Sequence, residues 1–351
     1  MKIALIIPSN LWVNPFVRIY TQQFDQMNVK YDVIEWNRYD KKEDAIQYNY
    51  QIKSRNTLHL LWAFLKYASF VKKTVRMNGY DRLIVFTPQM AIFLSGFLKK
   101  RFKGKYIFDY RDLSIEQKTI FKCTFIETLN NSYANVISSP GFIDCLPKGF
   151  DYIISHNFNI EHVKDALKKK TTINKNDISL LTIGAIRKDM NPEIVDSLGD
   201  KPGFHLYFVG KGFYSKELED YTILKGYSNV TFRGFYEKEE EKDIIENCNF
   251  INIYYPQIIS HRTALSNRFY NSLIYKRPML VTKNSTQGDY VDKYKVGLSI
   301  NNSVNLAETM KNYLKKLDYD EYCDNCNKLL CDLMVDYDKW YATLTGFIEL
   351  R

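Results

Sequence analysis

Short apolar runs of strand length recur along this chain, separated by longer amphipathic segments, and that alternation leaves few architectures open. Neighbouring parallel strands need a crossover of a dozen or more residues, and a helix lying on the sheet supplies it. The runs at 3–7, 31–35, 83–86, 106–109, 135–138 and 152–155 are short, β-branched or aromatic, and bounded by polar or turn residues. A second series follows at 179–183, 204–209, 230–233, 250–254, 279–282 and 297–300. Between them, 160–177 is dominated by Lys, Asn, Asp and Thr and reads as a helix followed by a linker. The expected class is α/β, with two Rossmann-like doubly wound domains. Residues 306–351 read as helical throughout, anchored by Trp340 and Phe347. The expected division is 1–160, a linker at 161–177, a second domain at 178–325, and a C-terminal helix at 326–351 that packs back on the first domain.

A length of 351 residues with 45% hydrophobic content suits two cores better than one. Six Cys, at 123, 145, 248, 323, 326 and 331, are too few and too scattered for a disulfide framework, so reduced thiols are expected. Cys323, Cys326 and Cys331 form the one cluster with metal-like spacing, yet they lie in a helical stretch without a second ligand pair. The apolar run at 3–7 is too short for a signal peptide, and no stretch reaches 18 uninterrupted apolar residues. The expectation is a cytoplasmic protein, soluble or peripheral at the inner face of the plasma membrane. A net charge of +9 favours an anionic partner: nucleic acid, an acidic membrane surface or a phosphorylated substrate.

Open parallel sheets bind ligands beyond the carboxyl ends of their strands, so the loops there carry the functional reading. In the second half, Gly184 is followed by Ala-Ile-Arg-Lys, placing Arg187 and Lys188 where they can neutralise a pyrophosphate. Gly210 and Gly212 flank Lys211 after the next strand, where a Cβ-free backbone admits a base or ribose. Phe232-Arg233-Gly234-Phe235 ends the third strand and precedes an acidic helix. The fourth element runs from His261 through Thr263, Leu265, Ser266, Asn267 and Arg268 to Asn271, then into Arg277-Pro278-Met279. A helix N-terminus near Thr263–Asn267 offers amides to a phosphate. The same residues also suit simple helix capping, with Ser266 as N-cap.

In order and content these elements resemble the C-terminal half of GT-B glycosyltransferases of the large retaining, sucrose-synthase-like (group 1) family. The resemblance covers about 178–300 well and the first half loosely. It implies a GT-B fold with two domains facing a cleft, and a donor diphosphate held by Arg187 and Lys188. The family's ribose-binding Glu falls on Asn271, which hydrogen-bonds without charge assistance, and a second frequent Glu falls on Thr263.

In the first half, Pro8-Ser9-Asn10, Asp109-Tyr110-Arg111-Asp112, Ser138-Ser139-Pro140-Gly141 and His156-Asn157 follow strands. Asp109, Arg111 and Asp112 resemble the family's cleft-facing acidic loop and are the candidate acceptor-positioning or base residues, with an ordinary Asp–Arg pair as the alternative. His156 reads as a packing or hinge residue. There is no Gly-x-Gly-x-x-Gly after the first strand, no phosphate loop, no nucleophile elbow and no metal-binding Asp-x-Asp, so no cofactor and no obligatory metal is expected. Residues 57–76 and 90–105 mix aromatic and basic side chains, as for an acidic membrane interface or for a sheet-covering helix with a charged end. No nucleic-acid motif is present. The function implied is transfer of a sugar from a nucleoside diphosphate, UDP favoured, to a saccharide or lipid-linked acceptor in polysaccharide or glycolipid assembly. An epimerase on the same fold and a non-catalytic binding protein are the alternatives.

Overall fold

The computed structural model describes residues 1–52, 56–169, 171–175, 177–187 and 192–350. They form two compact units, Met1–Asn157 with Val335–Arg351, and Phe158–Met334.

The first unit is built on β1 (Lys2–Ile7), β2 (Lys30–Asn37), β3 (Ile46–Asn49), β4 (Arg82–Phe86), β5 (Tyr106–Tyr110), β6 (Ala134–Ile137) and β7 (Tyr152–Ile154). All pairings are parallel, in the order β3-β2-β1-β4-β5-β6-β7. Four helices cross between strands: α1 (Val17–Gln26), α2 (Thr57–Asn78), α3 (Pro88–Arg101) and α4 (Thr119–Asn131). Local chemistry sets their ends. The Asn56 side chain accepts the Leu58 amide at the start of α2, Gly79 closes that helix at φ 62°, and Pro88 opens α3. Ile3, Leu5, Ile7, Tyr20, Phe24, Ile84 and Phe86 share one core with Trp340, Leu344 and Phe347.

In the second unit α5 (Ile160–Lys168) leads into β8 (Ile178–Ile183), α6 (Pro192–Leu198), β9 (Phe204–Val209), α7 (Ser215–Leu224), β10 (Val230–Arg233), α8 (Glu241–Glu246) and β11 (Phe250–Ile253). It continues through α9 (Ile259–Thr263), α10 (Asn267–Ile274), β12 (Met279–Thr282), α11 (Thr286–Tyr294), β13 (Gly297–Ile300) and α12 (Leu306–Lys316). Its sheet is also parallel, in the order β10-β9-β8-β11-β12-β13. The last helix, α13 (Tyr319–Glu349), gives residues up to Met334 to this unit and the remainder to the first.

Every strand expected from sequence is present, and β3 is an addition. Its residues, Ile-Gln-Tyr-Asn, form a polar edge strand of the kind that carries little apolar signal. The expected unbroken terminal helix is two helices that part at Leu317 and Asp318.

Candidate functional site

Each sheet reverses its winding once, between β1 and β4 in the first unit and between β8 and β11 in the second. Outside the carboxyl ends of those strands a doubly wound sheet offers a crevice.

In the second unit that crevice is lined by glycine turns. Gly184 ends β8 at φ 96°, and its amide donates to the Val209 carbonyl at 2.8 Å. Gly210 ends β9 at φ 125°, and a Cβ there would overlap the Gly184 carbonyl. A Cβ on Gly212 would overlap the Ile186 carbonyl. The first two loops are therefore pressed backbone to backbone, a closeness that only glycine permits. The Gly212 amide donates to Ser215 Oγ at 2.9 Å, tying the turn to the start of α7. Arg187 is exposed beside these turns. Lys188, expected as its partner, lies outside the described residues.

The fourth element divides between structure and candidate contact. Ser266 is the N-cap of α10, its Oγ accepting the Phe269 amide at 3.4 Å and donating to Gln287 Oε1 at 2.8 Å. The capping alternative is thus the observed geometry for Ser266. Thr263 is buried and donates to the Ile259 carbonyl at 2.9 Å, which makes it part of the α9 turn. Leu265 and Asn271 are half-buried, and Asn267 is exposed.

Arg268 points into the body of the second unit. Expected among donor contacts, it is buried, with Nε donating to the Ile183 carbonyl at 2.5 Å and Nη2 to the Ala185 carbonyl at 3.3 Å. Nη1 reaches the Asn252 carbonyl at 3.4 Å and Tyr255 Oη at 3.0 Å. It staples the ends of β8 and β11 together at the winding reversal, satisfying carbonyls that the sheet leaves bare there.

Asp109 and Arg111 form the Asp–Arg pair that the sequence left as the alternative. Asp109 is fully buried, and both its oxygens are taken. Arg111 Nε donates to Oδ1, Arg111 Nη2 donates to Oδ2 at 2.6 Å, and Tyr20 Oη donates to Oδ2 at 2.6 Å. Arg111, buried too, also donates to the Ser155 carbonyl at 3.2 Å and lies 5.0 Å from the centroid of the Phe16 ring. Burial, then Asp109, pushes the Tyr20 hydroxyl well above its ordinary range, so it stays a donor. A carboxylate that accepts three hydrogen bonds inside the core, two of them from a paired guanidinium, is held as a structural anion, and the pair ties β5 to the end of β7. Asp112 alone of the three is exposed. His156, beside this cluster, is buried with Nε2 3.2 Å from Asp336, and burial lowers its pKa.

Two residues that sequence reasoning missed sit at the carboxyl edge of the first sheet. Arg38, just after β2, lies 4.1 Å over the Trp36 ring and 5.1 Å over Phe64, and its Nε and Nη2 are buried with no hydrogen-bond partner. Burial lowers its pKa to about 10. Thr87, after β4, holds φ 72° as a β-branched residue, and its Oγ1 is buried and unpartnered. Such a backbone costs about 1–3 kcal/mol. Only the spacing of Arg38 after an apolar run hinted at this edge, and nothing in the sequence marks Thr87. Asn10, which follows β1, pins the loop after β2: its Oδ1 accepts the Arg38 amide at 2.8 Å and its Nδ2 donates to Asn37 Oδ1 at 2.9 Å.

Among the described residues no cluster of His, Cys, Asp and Glu is arranged to hold a metal, and no helix is long and apolar enough to cross a membrane.

No family model matches the chain, and no curated protein matches it by sequence. Solved structures do match in fold. HepE from Anabaena, crystallised with UDP and glucose, superposes with a TM-score of 0.69 at 14% identity, over 99% of this chain and 100% of that one. Sucrose-phosphate synthase from Thermosynechococcus elongatus gives 0.69 at 14%, over 99% of each chain. UDP-GlcNAc 2-epimerase from Neisseria meningitidis, bound to UDP-GlcNAc, gives 0.60 at 12%, over 95% and 100%. Two all-parallel α/β sheets, each with a single winding reversal, and near-complete coverage by these structures identify the architecture: the chain has the GT-B fold.

Proposed function

We propose that this chain transfers a sugar from a nucleoside diphosphate, UDP favoured, to a saccharide or lipid-linked acceptor, with retention of anomeric configuration, in capsule, exopolysaccharide or glycolipid assembly. The observation that carries the reading is the pair of Cβ-free turns at Gly184 and Gly210–Gly212 beside exposed Arg187. Backbone amides and a guanidinium at a strand end suit a diphosphate leaving group. The likeness to HepE, whose structure holds UDP and glucose, supports the same ligand class here.

In the transfer, the bond from the sugar's anomeric carbon to the diphosphate oxygen breaks and the electron pair leaves with the diphosphate. An acceptor oxygen forms the new bond on the same face, and its proton passes to the departing phosphate. Arg187 and Lys188 neutralise that leaving charge without an obligatory metal, while Asn271 holds the ribose hydroxyls. No side-chain base is assigned, because Asp109 is committed to Arg111 and Tyr20. Arg38, desolvated at the carboxyl edge of the first sheet, suits an acidic group on the acceptor. Exposed Leu58, Trp62 and Leu65, at i, i+4 and i+7 on α2, suit peripheral contact with an acidic bilayer that presents a lipid-linked acceptor.

Titration with UDP, GDP and ADP, followed by turnover with the matching sugar nucleotides, tests the proposal. Sugar-dependent release of the nucleoside diphosphate on adding acceptor supports transfer. The likeness to UDP-GlcNAc 2-epimerase favours one second reading, epimerisation, which would invert C2 with no acceptor present. Absence of any nucleotide binding would remove both.

A further inference from the structure

Residues 57–105 hold ten Lys and Arg against one acid, Asp81. That excess of nine equals the excess of 49 Lys and Arg over 40 Asp and Glu in the whole chain, so charges elsewhere cancel. The basic residues are not spread evenly over α2 and α3. They gather where the two helices end, at the amino edge of the first sheet, opposite the carboxyl ends of its own strands. Arg76 lies in the last turn of α2, and Lys99, Lys100 and Arg101 in the last turn of α3.

A cavity of about 650 Å³ opens at that edge, lined by Arg76, Arg82, Arg101 and Lys105 together with Phe97 and Leu350. Cations at helix C-termini complement the helix dipole, which accounts for one or two of them. It does not account for Arg82, which stands on β4 and forms the floor. That side chain is 7% exposed, lies 5.1 Å from the Phe347 ring centroid, and gives Nη2 to the Leu350 carbonyl. Its Nη1 is buried with no hydrogen-bond partner. Asp81 also lines the cavity and acts on Arg82 through space, making the lining four cations against one acid, and its Oδ2 accepts the Lys2 amide at 2.7 Å. Among the described residues none of the four cations has a carboxylate within ion-pairing distance. A desolvated guanidinium nitrogen without an acceptor, ringed by three exposed cations, is an arrangement that an anion completes.

We propose that this cavity is a phosphate-binding site, distinct from the nucleotide loops, in which Arg82 grips the anion from below while Arg76, Arg101 and Lys105 close on it from the rim. The shared chemistry is a phosphate mono- or diester, supplied either by an anionic phospholipid headgroup or by a soluble phosphorylated compound. Exposed Lys100 and Lys103 extend the same field outward, while Lys99 is paired with Glu127 at 2.6 Å.

The test uses the full chain, titrated calorimetrically with inorganic pyrophosphate and, separately, floated with phosphatidylglycerol vesicles. Three variants are compared with it: R101E/K105E at the rim, R82M at the floor, and R187A at the nucleotide loops. Because Arg101 and Lys105 are exposed, the rim variant retains the wild-type Tm and keeps the test open if R82M misfolds. The expected result is two pyrophosphate-binding events, one weakened in R187A and the other weakened at least tenfold in R101E/K105E, with vesicle binding lowered in R101E/K105E and kept in R187A. Loss seen with pyrophosphate assigns a soluble ligand, whereas loss seen only with vesicles assigns a headgroup. The proposal is overturned if R101E/K105E binds both probes like the wild type, if pyrophosphate binding vanishes in R187A alone, or if the wild type binds neither.

Discussion

The two sheets share a winding pattern and finish it in opposite ways. At the carboxyl edge of the first, side chains fill the space: a buried Asp–Arg pair, a tyrosine hydroxyl, a strained threonine and an arginine enclosed by aromatic rings. At the corresponding edge of the second, three glycines strip the space to backbone, and an exposed arginine stands beside it. One edge is rigid where Asp109, Arg111 and Tyr20 are spent on each other. The other is open because its turns have no side chains to spend.

The sharpest way to break that contrast is Asp109→Ala, which leaves the buried Arg111 guanidinium without its carboxylate. A loss of about 3–5 kcal/mol is expected on chemical denaturation. Asp112→Ala, at an exposed position, should stay within about 0.5 kcal/mol. If both variants were equally mild, the filled edge would not be the rigid one. On the open edge, Gly212→Ala forces a Cβ into the Ile186 carbonyl, so UDP affinity should fall by about 1–3 kcal/mol, the scale of the backbone strain involved. Arg187→Ala should weaken UDP by a similar or smaller amount, about 1–3 kcal/mol for a charge-assisted hydrogen bond, with the fold intact. Unchanged affinity would take Arg187 out of the diphosphate site.

The smallest effect is one of pH. His156 titrates below its ordinary value because burial disfavours the charged form, with Asp336 offsetting part of that. Below about pH 6.5 the unfolded chain therefore binds a proton that the folded one resists, and stability falls as the pH drops through that range. Thermal melts at pH 7.5 and 5.5 should diverge less in His156→Gln than in the wild type.

The fold was largely legible because buried parallel strands are near-continuous apolar runs, as in Ile3–Ile7 and Ile178–Ile183. The edge strand Ile46–Asn49 was not, since a strand half open to water has no such run. The loops were legible as loops, and glycine marked the turns that need it. What the residue types could not reveal was direction. Arg187 and Arg268 look alike in sequence, yet one points outward and the other inward onto strand-end carbonyls. Asp109 ends a strand as a catalytic acid would, and its burial against Tyr20, 89 residues away, is not visible in the local sequence. Arg38 was passed over because its aromatic enclosure comes from β2 and α2 together.

The long terminal helix changes what it means to take this protein apart. The backbone passes from one unit to the other after Asn157 and returns after Met334. A fragment ending at 157 would therefore keep all seven strands of its sheet but lose Trp340, Leu344 and Phe347, leaving Tyr20 and Phe24 facing water. Dissecting the two halves requires grafting residues 335–350 back onto the truncated piece, either as a fused tail or as a separate peptide.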